Sequence, residues 1–215
     1  MEETERVILG ITMGDPAGIG PEITVKALAQ PGLYEICRPL VIGDVKIMEE
    51  AARIAGHPEI RIHPVASPDG ALFRRGTIDV LDMKLVDVRR LERGKVSAMA
   101  GEAAFRYVEK AIRLAMDHEI DGTVTNAINK EAINLAGHHY SGHTEIYADM
   151  TQTKEYTMML AHENLRVVHV STHVSLREAC DRVKKARVLE VIRIADQACR
   201  ELGIEHPRIG VAGLN

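Results

Sequence analysis

Two short motifs carry histidines in positions where they could do chemistry. The first, Gly142-His143-Thr144-Glu145, opens a helical pattern, and the second, Ser171-Thr172-His173, follows an apolar run. Capping by Ser141 or Thr144 accounts for the hydroxyl and acidic residue types of the first motif, but it gives no reason for the histidine. A histidine at a strand end, beside hydroxyls that could fix its tautomer, is a reasonable metal ligand. Since catalytic zinc sites usually have three protein ligands, two histidines predict only part of a site.

A third motif, Thr125-Asn126-Ala127-Ile128-Asn129-Lys130, directly follows the apolar run at residues 122–125. In open α/β sheets, ligands bind near the carboxyl ends of strands. Lys130 is therefore a candidate catalytic residue, which could orient a phosphate or carboxylate, or accept a proton if burial lowers its pKa. The alternative interpretation makes Asn129 a helix cap and Lys130 a solvated residue of the first turn.

A glycine-rich turn, residues 13–22, joins the first apolar run to a helical pattern. Its glycines let the backbone take positive φ angles and approach a ligand closely, and Pro21 suits the first helical turn. The start of a helix after such a turn can bind an anion or a cofactor. The spacing differs from the dinucleotide fingerprint G-x-G-x-x-G, so a purely structural turn is the alternative.

The other histidines have no local partner that suggests chemistry. His138 and His139 are predicted to be surface or loop residues. The remaining histidines are predicted to be packing or surface residues: His57, His63, His118, His162, His169 and His206.

Composition excludes several classes of protein. The chain has 215 residues, of which 46% are hydrophobic and 27% charged, as in an ordinary globular protein of one large or two small domains. The net charge of -4 comes with dispersed basic residues, so nucleic acid is not an expected partner. The three cysteines form no C-x-x-C pair, which favours reduced thiols. An acidic N-terminus and the absence of a long apolar stretch predict a cytoplasmic protein without a membrane span.

Short apolar runs alternate with amphipathic stretches along the whole chain. Predicted strands cover residues 7–12, 39–42, 60–64, 77–81, 122–125, 157–161, 166–170 and 208–212. The clearest helical patterns span residues 101–118 and 184–202. This alternation predicts an α/β protein with a largely parallel sheet.

The ordered motifs resemble those of the 4-hydroxythreonine-4-phosphate dehydrogenase family, including relatives that act on 4-phosphorylated threonate and erythronate. The resemblance rests on these segments: Gly14-Asp15-Pro16-Ala17-Gly18-Ile19-Gly20-Pro21-Glu22, Gly142-His143-Thr144-Glu145, Met158-Met159-Leu160, Thr172-His173 with Leu176-Arg177, and Gly213-Leu214-Asn215. It implies a two-domain α/β fold similar to isocitrate and isopropylmalate dehydrogenases, with mostly parallel sheets. Residues 1–125 would form the first domain, completed by a later segment, and residues 126–215 part of the second.

The resemblance also implies an activity, the cofactors that it needs and an oligomeric state. The family oxidises and decarboxylates a 4-phosphorylated hydroxy acid, using NAD or NADP and a divalent metal (Zn, Mg or Co), as a homodimer with a shared active site. It implies that His143 and Thr144 bind the substrate and that His173 is a metal ligand. It implies that the turn containing Asp15, Gly18 and Gly20 lies near the cofactor.

By this resemblance the chain corresponds to the N-terminal two thirds of the family, and the other two metal ligands are expected beyond Asn215. Asn126 with Ala127 looks more like the branch acting on sugar-acid phosphates than like the branch acting on 4-phosphohydroxy-L-threonine. The alternative for the chain is an inactive fragment, or a protein that only dimerises.

Overall fold

The structure, a computed structural model, describes residues 6–213. The chain divides into two compact units, the first ending at Thr151 and the second beginning at Gln152. Residues 126–151 were predicted to belong to the second domain, yet their helices pack within the first unit. The domain boundary after residue 125 stays a prediction about the family's longer chain.

The first unit is built around a five-stranded sheet. Its strands are β1 (Ile8–Thr12), β2 (Arg38–Gly43), β3 (Arg61–Val65), β4 (Thr77–Asp82) and β5 (Gly122–Thr125). Its helices are α1 (Gly20–Leu28), α2 (Leu33–Ile36), α3 (Val45–Ile54), α4 (Ala98–Met116), α5 (Lys130–Leu135) and α6 (His143–Met150), and a 3₁₀ turn covers Pro68–Gly70. Each strand predicted in this unit is present, with its ends shifted by at most one residue. All pairs are parallel, in the order β3-β4-β2-β1-β5.

The core of the first unit explains why these runs form strands. Leu40, Val41 and Ile42 of β2 are all fully buried, as expected for a central parallel strand that is covered on both faces. Helix α4 packs against β1, β2 and β5, while α3 packs against α1, β3 and β4. A smaller apolar cluster joins α4 to α5 and α6 through Ile133 and Ile146.

Strands β2, β4 and β3 lie on one side of β1, and β5 lies on its other side. The direction in which strands are added to the sheet therefore reverses at β1. The loop after β1 leads to α1, which packs with α3, whereas the loop after β5 leads to α5, which packs with α4. The loops after β1 and β5 therefore diverge at a topological switch point, where open α/β sheets bind ligands.

The second unit is smaller and contains a hairpin and two helices. Its elements are β6 (Met159–His162), β7 (Leu165–Val168), α7 (Leu176–Arg182) and α8 (Lys185–Glu201). The two strands pair antiparallel, and α8 buries Val191 and Ala195. A capping box between Ser175 and Glu178 fixes the start of α7.

Two predictions for the second unit are wrong. Residues 208–212 were predicted to form a strand, but they form none, and Val211 is 63% exposed. An apolar run becomes a strand only when a neighbouring strand takes up its backbone hydrogen bonds. His169 was predicted to lie within a strand, but β7 ends at Val168.

Among residues 6–213, no helix is both long and apolar enough to cross a membrane.

Candidate functional site

The glycine-rich turn after β1 is held by its own hydrogen bonds. The buried Asp15 donates its backbone N–H to the carbonyl of Ala127 (3.0 Å), and its Oδ1 accepts from the amide of Ala17 (2.8 Å). The amide of Gly18 donates to the carbonyl of Asp15 (3.0 Å). Burial raises the pKa of the Asp15 carboxyl, and the hydrogen bond from Ala17 opposes that shift.

These bonds bear on the predicted cofactor residues Asp15, Gly18 and Gly20. The amides at positions 15, 17 and 18 already donate to protein oxygens, so the turn is not an open cradle for a phosphate. A Cβ at Gly20 would overlap the carbonyl of Met13, which gives that glycine a packing role. The partly exposed Gly18 and the start of α1 are the parts of this turn that could receive a cofactor. A cofactor role for the three residues stays a prediction.

The loop after β5 begins α5 with a conventional cap. Asn129 is the N-cap, and its Oδ1 accepts from the amide of Ala132 (3.0 Å). Lys130 is the first residue of the helix and is exposed. The alternative interpretation of this motif is therefore confirmed for Asn129. The burial that Lys130 would need to act as a proton acceptor is absent here, and its catalytic role stays a prediction.

His143 and Thr144 form the first turn of α6, as the sequence predicted. The helix begins after Gly142 without a side-chain cap, so the predicted capping by Ser141 or Thr144 is wrong. Both His143 and Thr144 are half-buried. Ile146 is fully buried against α4, which fixes the position of this first turn.

The His143 side chain is half-buried beside the backbone of Asn126. Burial lowers the pKa of His143, and a hydrogen bond from the ring to the backbone of Asn126 opposes that shift. Within the part of the chain that the structure describes, its buried Nε2 has no hydrogen-bond partner. Because buried polar atoms are almost always paired, an unpaired Nε2 marks a position where a ligand could bind.

His138 lies in the loop between α5 and α6, as predicted, and its side chain is only partly exposed. Its ring stacks on Phe105 with centroids 3.6 Å apart, and its Nε2 lies 2.6 Å from Oε2 of Glu102. Its neighbour His139 is exposed, as predicted. These contacts of His138 hold the loop that leads to His143 against α4.

The structure thus brings several predicted residues together at the switch point. Asn126 follows β5, its backbone contacts the His143 ring, and the next carbonyl, that of Ala127, holds Asp15. Lys130 begins the helix that follows the same loop. The glycine-rich turn, the loop after β5 and the start of α6 therefore form one candidate site in the first unit.

His173 lies in the second unit, in the bend between β7 and α7. It is exposed and has a left-handed φ of 56°. Within residues 6–213, no group of three or more histidine, cysteine, aspartate or glutamate side chains is arranged to hold a metal ion. The described residues therefore do not fit a catalytic metal by themselves, and His173 as a ligand stays a prediction.

Asp44 and Tyr107 form a buried hydrogen-bonded pair at the carboxyl end of β2, which the sequence did not predict. Asp44, which is 3% exposed, accepts from the hydroxyl of Tyr107 (3.1 Å) and from the amide of Val86 (2.7 Å). Burial raises the pKa of Tyr107, and the charge of Asp44 adds to the shift. The position of Asp44 after an apolar strand was the available signal, but both partners are distant in sequence.

Comparison with known proteins agrees with this architecture. The family model described as pyridoxal phosphate biosynthetic protein PdxA matches residues 35–215. A curated relative from Cupriavidus necator, named D-threonate 4-phosphate dehydrogenase, is 46% identical over 208 residues, which are 97% of this chain and 62% of the relative. The chain thus spans less than two thirds of that relative's length.

Two solved structures are similar along almost the whole chain. The 4-hydroxythreonine-4-phosphate dehydrogenase from Burkholderia phymatum has a TM-score of 0.88 at 42% identity, covering 98% of this chain and 63% of its own. The enzyme of that name from Klebsiella pneumoniae has a TM-score of 0.88 at 39% identity, covering 95% and 61%. These findings confirm the predicted fold class, and the chain belongs to the family of the pyridoxal phosphate biosynthetic protein PdxA.

Proposed function

We propose that this chain is part of an NAD-dependent dehydrogenase that oxidises and decarboxylates a 4-phosphorylated hydroxy acid, in particular D-threonate 4-phosphate. The observation that carries the proposal is the 46% identity, over 208 residues, to a relative named for that dehydrogenase activity. In this reaction the hydroxyl carbon would give a hydride to NAD and the hydroxyl oxygen would lose a proton, and the β-keto acid so formed would release carbon dioxide, leaving an enolate that takes up a proton.

The start of α6 supports binding of a phosphorylated substrate. The first-turn amides of this helix have no side-chain cap, and helix N-termini favour anions. His143 adds a buried Nε2 without a partner in the described residues, and Thr144 adds a hydroxyl beside it. We assign these two side chains to the substrate.

The cofactor and the metal complete the proposal. When bound, a nicotinamide would accept the hydride, and a divalent ion would stabilise the negative charge on the oxygen. We assign the cofactor, NAD or NADP, to the side of the glycine-rich turn where Gly18 is partly exposed. The metal, Zn, Mg or Co, would take one ligand from His173, and we propose a homodimer that shares its active site.

Comparative kinetics test the choice of substrate. For the protein expressed from its full coding frame, we expect a higher kcat/KM with D-threonate 4-phosphate than with 4-phosphohydroxy-L-threonine. The reason is the identity to the D-threonate 4-phosphate dehydrogenase, together with the Asn126-Ala127 pair. A clear preference for 4-phosphohydroxy-L-threonine would instead assign the chain to the other branch.

Metal binding by the 215-residue chain should be weak. Since residues 6–213 hold no three-ligand cluster, calorimetric titration with Zn²⁺ should give no tight one-to-one site, and His173→Ala should leave the titration unchanged. Tight stoichiometric binding that is lost in His173→Ala would contradict this expectation.

A further inference from the structure

Asp44 directly precedes α3, but its side chain does not cap that helix. Aspartate is a preferred N-cap because its carboxylate can accept the free amides of the first turn. Within residues 6–213, however, the Asp44 carboxylate makes no such capping bond. The amide of Val45 donates instead to Oδ1 of Asp82, at the end of β4 (3.1 Å). Helix capping therefore does not explain why an aspartate is buried at position 44.

Both carboxylate oxygens of Asp44 bond to residues of other elements. Oδ1 accepts from the hydroxyl of Tyr107 in α4 (3.1 Å), and Oδ2 accepts from the backbone amide of Val86 (2.7 Å). Asp44 is 3% exposed and Tyr107 is 0% exposed, so the bond between them is shielded from water. Burial and the charge of Asp44 raise the pKa of Tyr107, which keeps its hydroxyl protonated as a donor. The carboxylate thus joins the end of β2 to α4 and to the loop after β4.

The loop after β4, residues 83–97, which we call the strap, runs along the carboxyl edge of the sheet. It begins beside β2, where the amide of Met83 donates to the carbonyl of Gly43 (2.9 Å). It ends at Ser97, whose hydroxyl caps α4. The strap contains no helix or strand. Loops of this length without secondary structure of their own are uncommon in compact domains and often have a function.

The strap reaches the glycine-rich turn through Gly94. The amide of Gly94, whose φ is +71°, donates to the carbonyl of Ala17 (2.8 Å). The amide of Ala17 donates to Oδ1 of Asp15 (2.8 Å), so both backbone polar groups of Ala17 are engaged. Ala17 directly precedes the partly exposed Gly18. The strap therefore holds the backbone next to the position that we assign to the cofactor.

A second contact attaches the strap close to Gly94. The neighbouring Arg93 donates from Nε to Oε1 of Glu50 in α3 (3.1 Å). Both side chains of this ion pair are partly exposed, and such pairs stabilise a fold only slightly. The bond from Val86 to the buried Asp44 is therefore the stronger of these two attachments.

We propose that Asp44 is a positioning residue for the cofactor side of the candidate site. Its carboxylate holds the strap at Val86, and the strap in turn holds Ala17, so that the backbone at Gly18 keeps a fixed position. The assignment of this side to a cofactor rests on the proposed function. The coupling between Asp44 and the glycine-rich turn is a property of the protein without ligand and can be measured without turnover.

Amide hydrogen exchange, followed by mass spectrometry, tests this coupling in the ligand-free protein expressed from its full coding frame. Asp44→Ala removes both bonds, and we expect the amides of residues 84–96 and 15–19 to exchange roughly tenfold faster. The amides of β2 should keep their protection. In the conservative variant Asp44→Asn, Oδ1 can still accept from Val86 and Nδ2 can donate to the oxygen of Tyr107. Its exchange should therefore stay close to that of the unmodified protein.

Steady-state kinetics separate positioning from a general loss of stability. With D-threonate 4-phosphate as substrate, Asp44→Ala should raise the KM for NAD roughly tenfold and leave the KM for the substrate nearly unchanged. Asp44→Asn should restore the KM for NAD. Asp69→Ala is the matched control, because it makes the same change at an exposed residue of the 3₁₀ turn. It should alter neither the exchange rates nor the two KM values.

Melting temperatures identify any variant that has lost the fold. If Asp44→Ala does not fold, Tyr107→Phe removes one of the two bonds and should give the same effects to a smaller extent. Unchanged exchange at residues 15–19 in the folded variant would overturn the proposal, as would equal rises in the two KM values. Faster exchange at residues 15–19 in a protein without NAD-linked activity would contradict the proposed function while the coupling stands, so the two failures are distinguishable.

Discussion

Gly101→Ala is expected to destabilise the first unit strongly, although it adds only one methyl group. The added Cβ would overlap the backbone carbonyl of Ala132 and come within 2.6 Å of the amide nitrogen of Ile133. Backbone atoms of α5 cannot rotate away as a flexible side chain would, so α4 and α5 must separate. We expect a loss on the order of 3 kcal/mol in the free energy of unfolding, which is the upper end for overpacking.

Thermal unfolding measures this loss, which corresponds to a fall of roughly 6–12 °C in Tm for a chain of this size. Gly32→Ala is the matched control, because no atom lies within 4 Å of the added Cβ and φ is −86°. The control should melt close to the unmodified chain. An unchanged Tm in Gly101→Ala would mean that α4 and α5 are not in close backbone contact.

His143→Ala should reduce catalysis while leaving the fold intact. The side chain is only half-buried, and its Nε2 is the atom that we assign to the substrate. A hydrogen bond to a charged group contributes about 1.5–3 kcal/mol, so kcat/KM should fall roughly 10- to 150-fold. Steady-state kinetics on the protein expressed from its full coding frame measure the effect.

His139→Ala is the control for this prediction, because His139 belongs to the same loop region but is exposed. It should keep kcat/KM close to that of the unmodified protein. Equal losses in the two variants, or no loss in His143→Ala, would remove His143 from the substrate site.

The parallel sheet could be predicted because its strands are continuous apolar runs. Strand β2, for example, is buried at five of its six positions, and the sequence marks it as a run of apolar residues closed by Gly43. The cap at Asn129 was also predictable, since capping depends on residues that are only three positions apart. Local chemistry and periodicity were sufficient for these features.

Long-range contacts explain what the sequence could not reveal. Asn126 is bonded to Thr12 across 114 positions, so the glycine-rich turn could not be recognised as a packing surface from its own residues. His138 is paired with Glu102, 36 positions earlier, and nothing beside His138 indicates that pairing. The predicted strand at residues 208–212 failed for a related reason, because apolarity alone does not supply a partner strand.

The most direct test of the proposed activity is the formation of NADH from D-threonate 4-phosphate. The protein expressed from its full coding frame, supplied with NAD and a divalent metal, should produce NADH and carbon dioxide in equal amounts. Omitting the substrate, or replacing it with unphosphorylated D-threonate, should abolish both signals. The proposed activity would be contradicted if folded protein supplied with metal formed neither NADH from NAD nor NADPH from NADP with D-threonate 4-phosphate or with 4-phosphohydroxy-L-threonine.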